Sequence, residues 1–114
     1  MKKTLFVAAV ALLCSTTAFA DSGIRRAACG YLQITVTTLQ TPTIPTKCGP
    51  NPSLVVIKAE AQAVRYRDDG TAPTASVGMP VAVADAPIYY EGSIPSLQFI
   101  AQTAGGVVDL LYYK

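Results

Sequence analysis

Turn residues do most to limit what this chain can become. All eight prolines and all eight glycines lie beyond residue 20, and they divide the rest of the chain into short runs. Proline removes an amide donor that a helix interior needs, and glycine weakens both helix and strand interiors. YLQITVTTL, Tyr31 to Leu39, alternates: Leu32, Ile34 and Val36 share one face, Gln33, Thr35 and Thr37 the other. That is the period of a half-buried strand rich in β-branched residues. TPTIPTKCGPNP, residues 41–52, is too proline-rich for helix. SLVVIKA, residues 53–59, reads as an apolar strand suited to burial on both faces, and 61–67 sets Val64 and Tyr66 against Ala63, Arg65 and Arg67.

The pattern continues to the C-terminus. Short runs occur at Val81 to Ala84, Ile88 to Glu91 before a Gly92-Ser93 turn, Leu97 to Thr103, and Val107 to Tyr113. In the last run Val108, Leu110 and Tyr112 fall on one face. Gly105-Gly106 between two apolar runs predicts a hairpin. Helix competes only over 58–67, and the run of Val-Arg-Tyr-Arg into Asp-Asp-Gly favours strand there. Strands recurring every 8–12 residues or so predict an all-β, antiparallel sandwich or barrel-like module of about six to seven short strands.

Residues 1–20 stand apart. Lys2 and Lys3 precede an apolar run from Leu5 to Leu13, then Ser15, Thr16 and Thr17, then Ala18-Phe19-Ala20. Those are the regions of a secretory signal, with cleavage expected after Ala20. The apolar run is well short of the ~20 residues that span a bilayer, so no stable membrane span is expected after cleavage. Cys14 follows Leu13, not a small residue, which argues against lipidation. The expected destination is the periplasm, the cell surface or the medium.

Removing residues 1–20 from the 114 leaves 94, a length that suits one domain. Residues 21–52 would supply an N-terminal strand and a proline-rich loop, joined to a β-module over 53–114. The remaining chain has seven Lys and Arg against seven Asp and Glu, so the formal +2 of the whole sequence comes from Lys2 and Lys3. A neutral chain has no electrostatic footprint for nucleic acid. An unidentified protein or envelope component is the expected partner, with homo-oligomerisation open.

Of three cysteines, Cys29 and Cys48 remain after cleavage, an even pair in an oxidising compartment. A disulfide is expected, contributing about 3 kcal/mol by loop closure. The spacing is not CxxC and the chain has no histidine, so neither a redox pair nor a histidine-containing metal site is expected, and no cofactor is implied.

The chemistry search narrows to VRYRDDGTAPTASVGMP, residues 64–80. Without histidine there is no histidine-based triad or dyad, and no SxxK or phosphate-loop pattern occurs. Carboxylate-pair catalysis by Asp68 and Asp69 is the remaining enzyme reading. Adjacent residues of an extended chain point to opposite faces, so such a pair rarely converges on one atom. Asp-Gly after a strand is turn chemistry instead, because aspartate bonds amides two residues on and glycine accepts positive φ. Arg67, Asp68, Asp69, Gly70 and Thr71 are therefore expected to form a structural turn, with Arg65 and Arg67 available to pair with the acids. DDGT supplies too few oxygens for a calcium loop. The following loop, with Thr71, Pro73, Thr74, Ser76 and Gly78, is the candidate interaction surface, and no catalytic residue is expected.

RYRDDGTAPTASVGM, followed by Tyr90-Glu91-Gly92, Leu97-x-Phe99-Ile100-Ala101 and Tyr112-Tyr113, resembles a family of small β-rich proteins encoded by tailed phages and prophages. The resemblance covers residues 54–114 and rests chiefly on the PTASVGM string. It implies a β fold and a non-enzymatic, virion-associated or structural role. The secretory segment and residues 21–52 lie outside it, and they point to action at the bacterial envelope. A second reading is a periplasmic module for a small ligand or glycan, using some of the six tyrosines as stacking surfaces.

Overall fold

The structure is a computed structural model that describes residues 25–114. The expected secretory segment, 1–20, lies outside the described residues. Seven strands follow in order: β1 (Ala28–Val36), β2 (Leu54–Ala61), β3 (Val64–Arg67), β4 (Met79–Val81), β5 (Ile88–Tyr90), β6 (Gln98–Ala101) and β7 (Gly106–Tyr113). Among the described residues the only helical turns are two short 3-10 segments, Thr46–Cys48 and Ile94–Ser96. The expected all-β class is what the chain adopts.

The strands form two antiparallel sheets, one ordered β1-β7-β2-β5 and the other β4-β3-β6. Their inner faces share one core. Val55, Ile57, Val108 and Leu110 from the first sheet are fully buried with Val64 and Phe99 from the second. This is the sandwich alternative of the sequence reading. Alternation explains it directly: β7 has the burial pattern of a strand with one face in, Val108, Leu110 and Tyr112 inward and Asp109 outward. β1 likewise turns Val36 inward and leaves Tyr31, Gln33 and Thr35 exposed, with Leu32 and Ile34 half-buried.

Several expectations change. β2 is buried on one face for most of its length, because Val55, Ile57 and Ala59 point inward while Val56 and Lys58 are only half-covered and Glu60 is exposed. Strand wins over helix in 58–67, as expected, and the two strands there belong to different sheets. Gln62 at φ 55° turns the chain from one to the other. Gly105-Gly106 is not a hairpin but a crossover, since β6 pairs with β3 while β7 pairs with β1 and β2. Glycine is required at 106 by proximity: a Cβ there would lie 2.9 Å from Val64 Cγ1 and 3.1 Å from the Val36 carbonyl oxygen. The fourth strand also sits earlier than the Val81–Ala84 run, at Met79–Val81, and β1 ends at Val36, with Leu39 exposed.

Cys29 and Cys48 are joined, with Cα atoms 5.0 Å apart, as expected. The bond ties residues 37–53 back to β1. On the way that segment makes a single antiparallel bridge to β6, where Gln40 and Phe99 exchange main-chain hydrogen bonds of 2.8 Å. Proline-rich chain thus closes one side of the sandwich.

Candidate functional site

The 64–80 stretch sits at the β3–β4 side of the smaller sheet. β3 carries Arg65 and Arg67 outward because Val64, two residues before Tyr66, is drawn into the core. Beyond Arg67 the chain makes the expected turn. Asp69 Oδ1 accepts a hydrogen bond from the Thr71 amide at 3.2 Å, and Gly70 takes φ 81°. Arg67 grips Asp69 with two nitrogens, Nε at 3.1 Å from Oδ1 and Nη2 against Oδ2. The bond from Arg67 and the Thr71 amide together hold the Asp69 carboxyl below its ordinary 3.8. The turn's ion pair therefore survives as pH falls to that value and is lost only below it.

The two acids engage different partners. Asp68 Oδ2 accepts a hydrogen bond from the Tyr90 hydroxyl on β5, so Asp68 ties the turn to the larger sheet. Tyr90 also meets Tyr66 edge-on, with centroids 6.0 Å apart. Burial, and then the Asp68 charge, raise the Tyr66 hydroxyl above its ordinary value. Adjacency in sequence has not produced a carboxylate pair sharing one substrate atom.

Arg65 departs from expectation. It binds neither aspartate but donates to the carbonyls of Ala75 and Gly78, at 3.1 and 2.8 Å. Those bonds pin the loop whose tip closes on itself, with Thr74 N to Val77 O at 2.9 Å and Val77 N to Thr74 Oγ1 at 3.0 Å. Of the candidate interaction residues, Thr71, Thr74 and Ser76 are exposed. Pro73 is buried and Gly78 half-buried, so these two anchor the loop and are not its contact surface. Val77 and Met79, absent from the expected set, are 50% and 60% exposed. With Tyr66, Arg67, Asp68, Asp69 and Gly78 they line an open cleft of about 250 Å³. Valine and methionine carry no sequence signal for exposure; Val77 is left uncovered in the loop and Met79 at the start of β4, at the edge of the smaller sheet.

A second surface is the outer face of the larger sheet. Strand register sets Tyr31, Leu111, Val56 and Tyr89 in one row across all four strands. Tyr31 and Tyr89, on the outermost strands, are 59% and 73% exposed. Beside the row, Tyr31 donates to Asp109 at 2.5 Å, and Gln33 donates to Glu60 at 2.6 Å and to Asp109 at 3.0 Å. The bond to Asp109 raises the Tyr31 hydroxyl above its ordinary value. Tyr112, by contrast, is a core residue, on the inward face that it shares with Val108 and Leu110.

Among the described residues no Asp, Glu, Lys or Arg is buried, no group of three or more acidic or cysteine side chains is placed to hold a metal, and no helix is long and apolar enough to cross a membrane. Comparison with family models, curated proteins and solved structures finds no match to the chain. The phage-type resemblance stands on the motif string alone.

Proposed function

We propose that the chain is an exported, non-enzymatic interaction module of phage type that offers its 71–79 loop to a protein of the bacterial envelope or of a virion. The observation that carries this is the direction of the bonds. Arg65, Arg67, Asp68 and Asp69 are all engaged in holding the turn and loop in place, while Thr74, Ser76, Val77 and Met79 face solvent. Charges engaged within the turn and loop, with small or apolar groups displayed to solvent, suit a contact surface better than a reaction centre. The secretory-type segment 1–20 supports export, and the PTASVGM string supports the phage lineage. Affinity capture from envelope fractions and from phage particles tests the reading. Recovery of the chain alone, with neither an envelope partner nor virions, counts against it.

The outer-sheet tyrosines favour a second reading, a glycan-binding module. Tyr31 and Tyr89 lie three strand spacings apart, about 14 Å, a separation that an extended oligosaccharide spans. Their exposed rings would stack on sugar faces, with Asp109 and Glu60 accepting from hydroxyls. Titration of tyrosine fluorescence with oligosaccharides discriminates: a flat response removes this reading and leaves the first.

A further inference from the structure

Strand edges invite pairing with other chains, and proteins usually guard them with proline, charge or brevity. Three of the four edges here are guarded. β4 is three residues long and contains Pro80. β5 is also three residues long and follows Pro87. β6 has its free side taken by Gln40, and the chain there continues into Thr41-Pro42.

β1 is different. It is nine residues, ACGYLQITV, with no proline and no charge, and it ends the larger sheet. Among the described residues only β7 pairs with it; Pro45 and Cys48 pack beside Gly30 at one end, and the main-chain groups along the rest of the opposite edge have no strand partner. Its inward-facing Leu32 and Ile34 reach the core but stay half-exposed, as apolar side chains do at an incomplete edge.

We propose that this edge is a self-association surface, where β1 pairs antiparallel with β1 of a second copy to make one continuous eight-stranded sheet. The strand is self-complementary in the way a two-fold axis demands. Its regular part, Gly30–Val36, is centred on Gln33, so Leu32 of one copy falls beside Ile34 of the other and each covers the other's exposed flank. No charge on the strand meets its own kind across the axis. The edge lies on the β6 side of the sandwich, whereas the 71–79 loop lies on the β3–β4 side near β5, so both loops of such a dimer stay free. This goes beyond the interaction reading and does not depend on it.

Seven residues at about 3.4 Å each give a seam of about 24 Å. A seam one strand pair wide belongs with small, weak interfaces, so the dimer is expected only toward the upper end of the concentrations tested. Sedimentation equilibrium on protein purified after expression of the whole 114-residue chain, from about 10 μM to 1 mM, tests it alongside a Gln33→Lys/Thr35→Lys variant. Both lysines sit on the exposed face: the one at position 33 would face its own copy at the axis, and the one at position 35 would fall diagonal to it, opposite Tyr31 of the other copy. The expected result is a wild-type dimer whose dissociation constant rises at least tenfold in the variant. A wild type that stays monomeric throughout, or a variant that dimerises equally well, overturns the proposal; the first outcome would leave the edge to a strand from another protein. Should the variant fail to fold, amide exchange of Gly30–Val36 in the wild type decides. Slower exchange at high concentration supports pairing, and unchanged exchange refutes it.

Discussion

Replacing Cys29 and Cys48 together by alanine removes the disulfide cross-link between β1 and the proline-rich segment. The bond closes a loop with a sequence separation of 19. Loop-closure entropy for that length makes the bond worth about 3 kcal/mol through its restriction of the unfolded chain. For a domain of this size each kcal/mol moves the thermal midpoint by about 4–8 °C, so a fall of about 12–24 °C is expected. Alanine is chosen because both sites are buried, and a serine hydroxyl there would add a desolvation penalty of its own. Circular dichroism melts of oxidised wild type, reduced wild type and the variant make the assay, and the last two should nearly coincide. A midpoint that does not move on reduction would mean the cysteines are not joined. A shift of only a few degrees in the variant would refute loop closure as the source of stability.

Gly106→Ala places a methyl group against Val64 and the Val36 carbonyl where the two sheets meet; overpacking there should lower stability by about 1–3 kcal/mol in urea unfolding, and an unchanged midpoint would contradict the close approach. Burial pushes the Tyr112 hydroxyl from 10.0 up to about 12. Between those values the unfolded chain has lost a proton that the folded chain retains, so stability should fall as pH rises, by at most about 2–3 kcal/mol. Tyr112→Phe should flatten that alkaline slope in part, because Tyr66 is also raised; a slope identical to wild type would deny Tyr112 its part. Arg65→Ala frees the Ala75 and Gly78 carbonyls, and amide exchange at Thr74 and Val77 should quicken about tenfold or more with little change in global melting. Exchange that stays as in wild type would show that Arg65 does not hold the loop.

Much of the fold was legible because alternation reports a strand's inward face without reference to its partner. β7 shows this best: Val108, Leu110 and Tyr112 could be placed inward from spacing alone. Partner choice was not legible. Gly105-Gly106 has hairpin composition, yet the chain there passes between sheets, because the space beside Val64 and Val36 decides the path and no local pattern encodes it. The same holds at the site. Asp69, Gly70 and Thr71 interact within three residues, so turn chemistry predicted them. Asp68 bonds Tyr90 from 22 residues away, and Arg65 reaches carbonyls 10 and 13 residues on; both contacts exist only once the strands have paired. Pro73 looked like loop and proved to be an anchor for the same reason.

The most direct measurement is capture by wild type compared with a Val77→Asp/Met79→Asp variant, using envelope fractions and phage particles in parallel. Both side chains are exposed and outside the core, so the variant should melt as the wild type does. The expected result is a defined envelope or virion protein retained by wild type and lost, at least tenfold, by the variant. Equal retention by both, or no retention by either, would contradict a contact surface at the 71–79 loop.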